Sequence, residues 1–270
     1  MWAYAFMVNA FRAGTIVAVV AAIVGWFMVL RRQSFAGHTL AVVGFPGAAG
    51  ATLIGLSTTY GYFAFCVVAA IVLGLIPRIG RDADGLESAL TGTMQAFLLA
   101  CGFLFAALYK GLLGGVTALL FGSFLGITAT QVWVLLTVAL VVLAVLAVIG
   151  RPLLFASVDP DVAAGRGVRV RMLSMVFLII LGAAVAGASQ ITGSLLVFAL
   201  LVMPAATAQA LTASPRLGLA LSVVFAVVVT WFGLFAAYYS PYPIGFFVTT
   251  FAFVGYVLAR LRFRPSVAVA

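Results

Sequence analysis

The sequence contains a single histidine, His38, in a stretch of residues 33–47 that lies between two strongly apolar segments. Its imidazole is the only strong nitrogen ligand for a metal ion in the chain, and imidazole suits zinc, whereas sites rich in oxygen suit manganese. Neutral oxygen donors within or beside the apolar segments could add to it: Thr39, Ser57, Thr58, Gln95 and Gln190. Each of these donors also has an ordinary explanation in helix packing. His38 is therefore a candidate metal ligand with weak partners.

All five acidic residues lie outside the apolar segments: Asp82, Asp84, Glu87, Asp159 and Asp161. Carriers coupled to protons or sodium ions usually keep carboxylates within the membrane as relays or ion ligands, so this distribution argues against secondary transport. The sequence also lacks the Gly-x-x-x-x-Gly-Lys-Ser/Thr motif that binds nucleotide phosphates. We therefore expect no catalytic residue and no permanently bound cofactor here. If ATP drives transport, a partner chain hydrolyses it.

The composition is that of a membrane protein. Hydrophobic residues make up 66% of the chain, charged residues 7%, and the mean hydropathy is +1.32. A soluble domain is about 45–50% apolar and about 25% charged, so lipid must be the solvent. The apolar runs are continuous, which indicates helices rather than barrel strands. The net charge of +9 reflects topology rather than a nucleic-acid partner, because basic residues collect in cytoplasmic loops.

A transmembrane helix needs about 20 apolar residues. We predict spans at 13–30, 39–56, 61–77, 89–109, 131–150, 172–189, 194–211, 217–238 and 243–259. The glycine-rich run 112–126 is expected to be broken or re-entrant, and the stretch 33–47 to be irregular, as is tolerated only inside protein. The predicted fold is an all-α polytopic membrane protein with about eight to nine transmembrane helices, forming one domain over residues 1–270.

The arginines predict the orientation of the chain. With these spans, most of them fall on one side of the membrane: Arg31, Arg32, Arg78, Arg81, Arg151, Arg166, Arg169, Arg171, Arg216, Arg260, Arg262 and Arg264. That side is cytoplasmic, so the amino terminus is expected outside and the carboxyl terminus inside. Arg12 and Lys110 are the exceptions.

The longest polar stretch between spans, residues 155–168, predicts one short helix at about 160–165. Its amino end offers two capping residues, a proline for the first position and an acid for the first turn: Ser157 or Asp159, Pro160, and Asp161. Gly165 or Gly167 would end the helix. From the residues alone this is either a plain connecting turn or a docking element on the cytoplasmic face.

Four stretches resemble motifs of the permeases of zinc and manganese ATP-binding-cassette (ABC) importers. Residues 159–167, Asp-Pro-Asp-Val-Ala-Ala-Gly-Arg-Gly, resemble Asp-Pro-Glu-x-Ala-x-x-x-Gly. Residues 193–208, Gly-Ser-Leu-Leu-Val-Phe-Ala-Leu-Leu-Val-Met-Pro-Ala-Ala-Thr-Ala, resemble Gly-x-Leu-Leu-Val-x-Ala-Leu-Leu-x-x-Pro-Ala-Ala-Thr-Ala. Residues 119–125 are similar to a Leu-Phe-Gly-x-Ile/Leu segment, and residues 29–38 match the family's approach to its second span. The similarity covers most of the chain in the expected order.

The resemblance implies a type II importer-like permease that forms a homodimer in the bacterial inner (plasma) membrane. It further implies two cytoplasmic ABC ATPase subunits and an external metal-binding protein as partners, with zinc as the favoured cargo and manganese next. The helix near 160–165, within a coupling loop of about 152–170, would then dock on the ATPase. The residues assigned to this coupling are Ser157, Asp159, Pro160, Asp161, Ala164 and Gly167.

Family members usually carry an acid and a histidine four residues apart near the start of the second span. Aligning Pro46-Gly47 with the family's Pro-Gly places His38 at the acid position and Val42 at the histidine position. The chain thus offers one ligand where the family offers two. Either His38 is a structural residue that bonds a carbonyl near an interface, or two copies face each other across the dimer axis and pass the metal on.

Pro204 lies inside a predicted span and frees a backbone carbonyl one turn earlier. It is either a static kink or a gating hinge, helped by small neighbours.

Two other functions also stay open at this point. One is a passive metal channel without a motor, and the other is an ABC permease for another substrate such as a siderophore.

Overall fold

The computed structural model describes residues 4–75, 83–109 and 127–262. Their regular structure is helical, and we number the helices in chain order. They are α1 (Ala5–Leu30), α2 (Ser34–Leu53), α3 (Thr58–Leu75), α4 (Ala83–Leu108), α5 (Ala129–Val158), α6 (Pro160–Gly165), α7 (Val170–Thr192), α8 (Ser194–Leu211), α9 (Pro215–Tyr238) and α10 (Ile244–Arg262). Each of the nine predicted spans coincides with one long helix, and α6 is the predicted short one. The predicted re-entrant run 112–126 and the motif 119–125 lie outside the described residues.

Seven of the described helices are long and apolar enough to cross a membrane: α1, α3, α4, α5, α7, α9 and α10. The prediction of an all-α polytopic membrane protein is confirmed. The remaining two long helices are α2 and α8. Helix α2 is less apolar than the other seven, and the apolar part of α8, Leu196–Leu211, is shorter. Most of α2 is buried by α3, α4, α7 and α8, so its surface does not have to match lipid.

Helix α1 forms the centre of the bundle, with most of its residues buried against α5, α8 and α9. Gly25 permits this packing, because a Cβ there would overlap the carbonyl group of Leu201 on α8. Helices α1 and α9 run antiparallel: Trp231 Nε1 donates to Thr15 Oγ1 (2.9 Å), and Ser222 Oγ donates to the Ala22 carbonyl (3.2 Å).

Helix packing brings the described arginines that were predicted to be cytoplasmic to one end of the bundle. Helix α5 runs parallel to α1, since Asn9 contacts Ile127 and Arg31 contacts Ser157, so the arginines near the end of α5 lie at the end of α1. The start of α9 lies beside the end of α1, and α10 returns along α9 with Gly233 against Val248 and Gly255 against Phe225. Arg216 and the arginines that end α10 therefore lie at the same end as Arg31. Arg12 lies toward the opposite end. Arg78, Arg81, Lys110 and Arg264 are outside the described residues.

The prediction of irregular backbone over 33–47 is wrong, because α2 is one continuous helix through Pro46. Its glycines serve close helix contacts instead. A Cβ at Gly47 would overlap the Gly61 carbonyl oxygen on α3 and lie 2.7 Å from Phe65 Cβ, and one at Gly44 would overlap the ring of Tyr62. Small residues at such crossings let helices approach closely in a membrane.

The prediction that the coupling loop begins near residue 152 is also wrong, because α5 continues through Pro152 to Val158. The Ser157 hydroxyl donates to the Leu153 carbonyl within this last part of the helix. Consequently the connection between α5 and α7 is limited to residues 159–169, and α6 occupies more than half of it.

The turn between α7 and α8 is a single residue, Gly193, with φ +80°. Only glycine adopts this backbone conformation freely. The flanking Ser189, Thr192 and Ser194 are all 1% exposed or less, so the chain changes direction inside the protein. Such a break is tolerated at membrane depth only where protein covers it.

Candidate functional site

His38 lies at the start of the second turn of α2 and is half-buried. Its ring packs against Phe198 of α8, with the ring centroids 4.7 Å apart and the planes inclined at 60°. Its Nδ1 atom is buried and has no hydrogen-bond partner among the described residues. This nitrogen therefore does not make the carbonyl bond of the predicted structural alternative.

The structure does not gather the other predicted oxygen donors around His38. Thr39 Oγ1 donates to Gln95 Oε1 on α4 (2.9 Å), and Gln190 Nε2 donates to the Ala186 carbonyl of its own helix (3.1 Å). Ser57 and Thr58 lie beyond the far end of α2, and the helix from His38 to Leu53 is about 22 Å long at 1.5 Å per residue. No group of three His, Cys, Asp or Glu side chains that could hold a metal occurs in the part of the chain that the structure describes.

Val42, at the position of the family histidine, is one helical turn beyond His38 on the same face and only 9% exposed. It adds apolar surface rather than a ligand. A metal at His38 would therefore be completed by water, by backbone oxygen or by a second copy of the chain, since zinc usually takes four ligands.

Helix α6 has the ends that its sequence predicts. Asp159 is the N-cap, and its Oδ1 accepts from the Val162 amide (3.0 Å). Pro160 is the first helical residue, and Asp161 lies in the first turn. At the other end, Gly167 has φ +83°, which completes a Schellman motif with the amides of Gly167 and Val168 donating to the carbonyls of Ala164 and Ala163.

Helix α6 presents most of its surface outward. Ala163 is fully buried where the helix packs between α5 and α7, whereas Asp161, Val162 and Ala164 are exposed. A six-residue helix that is capped at both ends and anchored by one small residue would have little ordering left to occur if a partner bound it.

Ser157 does not cap α6, although its position allowed that. It accepts a hydrogen bond from Arg31 Nη1 (3.0 Å), while Arg31 Nη2 donates to Ser174 Oγ on α7. The guanidinium also lies over the ring of Phe177, 5.6 Å from its centroid. We call Arg31, Ser157, Ser174 and Phe177 the Arg31 cluster. The sequence analysis used Arg31 only as a marker of topology and missed this cluster.

Pro204 lies in the interior of α8, which continues without a break from Ser194 to Leu211. The Leu200 carbonyl one turn earlier loses its usual donor. Pro204, Ala205 and Ala208 are buried. This geometry is that of a proline in a packed helix.

A cavity of about 680 Å³ opens between α1, α5 and α9, near the end opposite to α6. Among its lining residues are Asn9, Arg12, Thr15, Trp133 and Trp231. It does not include His38. This cavity therefore adds nothing to the predicted metal ligand, and the two tryptophans place it where aromatic residues usually meet the membrane surface.

Comparison with known proteins identifies the family. The model of the ABC 3 transport family matches residues 3–262. The chain belongs to the ABC 3 transport family. The resemblance inferred from the four sequence stretches is thereby confirmed, and the protein is a multi-pass permease of the bacterial plasma membrane.

Curated relatives align with most of this ABC 3 family permease. The manganese transport system membrane protein MntC of Halalkalibacterium halodurans is 28% identical over 232 residues, which is 86% of this chain and 78% of the relative. The chelated iron transport system membrane protein YfeC of Yersinia pestis is 29% identical over 97% of this chain and 86% of its own length. Among solved structures, PsaBC from Streptococcus pneumoniae in complex with Fab matches with a TM-score of 0.84 and 25% identity, covering 95% of this chain and 91% of that one.

Proposed function

We propose that this permease imports a divalent transition-metal ion into the cytoplasm, as a homodimer driven by separate ATPase subunits and supplied by an external metal-binding protein. The observation that carries the proposal is the match of residues 3–262 to the ABC 3 transport family. Relatives that align with most of the chain are named for manganese and for chelated iron, which supports a metal cargo.

The exposed face of α6 is the proposed docking surface for the ATPase. It lies at the arginine-rich end of the bundle, which the positive-inside rule places in the cytoplasm. Asp159, Pro160 and Gly167 define the two ends of the helix. Asp161 and Ala164 lie on its exposed surface, together with Val162. Ser157 is assigned an indirect role, because its hydroxyl contacts Arg31 instead of facing the ATPase.

His38 is the proposed transit ligand. Its unpartnered Nδ1 and its place on a helix enclosed by four others support a role in passing the ion on. One imidazole per subunit gives two in a dimer, which is fewer than the four ligands of a tight zinc site. The ion is then held weakly, as conduction requires, and high affinity belongs to the external binding protein.

The cargo is either manganese or zinc. The names of the relatives favour manganese, whereas the imidazole of His38 favours zinc. Competition decides between them: cells that depend on this permease take up radioactive manganese while unlabelled zinc or manganese is added at increasing concentration. The preferred cargo is the metal that suppresses uptake at the lower concentration.

The test of the proposed function is co-purification followed by a transport assay. The permease is expressed with an ABC ATPase subunit from the same organism, and a complex that hydrolyses ATP is expected. Uptake of manganese or zinc should then depend on ATP. A permease that conducts metal without any ATPase would instead be a passive channel. A complex that moves a siderophore but no free metal ion would support the alternative substrate.

A further inference from the structure

The connection between α1 and α2 is unusually short and carries the Arg31 cluster. Arg31 directly follows α1, Arg32 has φ +56°, and Gln33 directly precedes α2. The Arg32 amide donates to the Val29 carbonyl (3.0 Å) and the Gln33 amide donates to the Met28 carbonyl (2.9 Å). Because the turn is closed by these bonds, movement of Arg31 must move the first turn of α2.

The two serines that hold the Arg31 guanidinium lie on either side of α6 in the chain. Ser157 is in the last turn of α5, two residues before the α6 cap Asp159. Ser174 is in the first two turns of α7, just after the connection from α6. Hydrogen bonds to a charged group are stronger than those between neutral groups. Arg31 is therefore bonded to both helices that frame the proposed docking surface.

Helix α6 itself packs mainly against α5 and α7, whereas His38 lies on α2, one turn beyond its first residue. Helix α2 also packs directly against α7, and Arg31 adds a polar link between the α6 frame and the start of α2. Its Nε atom donates to Gln33 Oε1 (3.4 Å), directly before α2. Its guanidinium also contacts Phe177 on α7, which limits the orientations that it can take.

We propose that Arg31 is a positioning residue that transmits displacement of α6 to α2 and so couples the motor to the helix that carries His38. This inference rests on the proposed function, in which an ATPase acts on α6. When the ATPase shifts α6, Ser157 and Ser174 move with their helices, and the guanidinium bonded to both moves the α1–α2 turn.

The chain supplies a matched control for the test. Arg32 is the next residue, carries the same charge and is exposed. Arg31→Gln and Arg32→Gln therefore change charge and size equally. Each variant is reconstituted with the ATPase in liposomes, and the metal ions moved per ATP hydrolysed are measured.

Arg31→Gln should keep the amount of bound ATPase and the rate of ATP hydrolysis near those of the wild type. It should lower the number of metal ions moved per ATP about ten-fold, because two hydrogen bonds to a charged group are lost. Arg32→Gln should leave the ratio unchanged, and Arg31→Lys should restore part of it. Equal ratios for Arg31→Gln and Arg32→Gln would overturn the proposal. If Arg31→Gln fails to insert, the double variant Ser157→Ala with Ser174→Ala replaces it; the same loss is expected, and a wild-type ratio overturns the proposal.

A second measurement does not depend on the ATPase. Spin labels are placed at Ala164→Cys and Phe35→Cys, in a background with Cys66→Ala and Cys101→Ala, and the distance distribution between them is recorded in a bilayer. Arg31→Gln should at least double its width, whereas Arg32→Gln should not; an unchanged width in Arg31→Gln overturns the link. If the wild type shows no ATP-driven transport, the proposed function fails, and this distance measurement alone decides whether Arg31 joins α6 to α2.

Discussion

The ring of His38 on α2 contacts the ring of Phe198 on α8, with their centroids 4.7 Å apart. This contact joins the helix that begins beside the Arg31 cluster to the helix that contains Pro204. It also leaves the Nδ1 atom of His38 buried without a hydrogen-bond partner among the residues described. The imidazole is thus held in place by packing while one of its nitrogens has no hydrogen bond.

Replacing His38 tests whether that nitrogen serves the ion. His38→Ala should lower metal uptake about ten-fold at limiting concentration, which is the lower end of the loss seen when only a group that supports a metal ligand is removed. Phe35→Leu, an exposed change one turn earlier on α2, should not lower it. The assay is uptake of radioactive manganese and zinc, normalised to permease in the membrane. Uptake by His38→Ala equal to that of Phe35→Leu would make the histidine a purely structural residue.

The docking surface can be tested through Val162, which is 48% exposed on α6. Val162→Asp adds a charge to an apolar contact and should weaken ATPase binding about ten-fold, since a burial penalty of roughly 1.4 kcal/mol is enough for that. Leu56→Asp, at the opposite end of the bundle and 56% exposed, is the control. Binding is measured by titrating the purified ATPase onto permease in nanodiscs. Equal affinities for the two variants would remove α6 from the interface.

The cap of α6 makes a separate prediction. Asp159→Asn keeps a capping side chain, whereas Asp159→Ala leaves the Val162 amide without its partner at a cost of about 1 kcal/mol. ATP hydrolysis by the complex should therefore fall in Asp159→Ala and stay close to wild type in Asp159→Asn. If Asp159→Asn loses as much activity as Asp159→Ala, the carboxylate acts by its charge on the motor rather than by capping.

Local chemistry explains which parts of this molecule were predictable. Helix α6 was predicted with its bounds, because Asp159, Pro160 and Gly167 determine its ends within a few residues. The continuity of α2 was not predicted. Its glycines are there because α3 packs closely against them, and the sequence of α2 alone does not reveal that contact. The Arg31 cluster was missed for the same reason: its partners are 126 and 143 residues away in the chain. No sequence pattern connected His38 to Phe198 either.

The packing of the central helix predicts a strong difference between two glycines. A Cβ at Gly25 would overlap the Leu201 carbonyl and lie 2.9 Å from its Cα, whereas one at Gly245 meets nothing within 4 Å. Gly25→Ala should destabilise the permease by about 1–3 kcal/mol, because backbone must shift. Gly245→Ala should not destabilise it. Thermal unfolding in detergent measures both, and equal midpoints would contradict the close approach of α1 and α8.

The orientation of the chain follows from the arginines gathered at one end. A reporter that is active only in the cytoplasm, fused after Ala270, should be active, because α10 ends at that end with Arg260 and Arg262. The same reporter inserted after Leu56, in the connection between α2 and α3, should be silent. An active reporter at Leu56 together with a silent one at the carboxyl terminus would invert the topology and place α6 outside the cell.

The most direct test of the proposed function is metal accumulation in sealed liposomes that contain the purified permease and its ATPase. The external binding protein is loaded with manganese or zinc and placed on the side opposite to the ATPase. The expected result is metal movement toward the ATPase side that requires ATP hydrolysis and that falls, at limiting ATPase, when Val162→Asp weakens docking. Metal movement at the same rate without ATP, or ATP hydrolysis with no metal moved by the wild type, would contradict an ATP-driven metal importer.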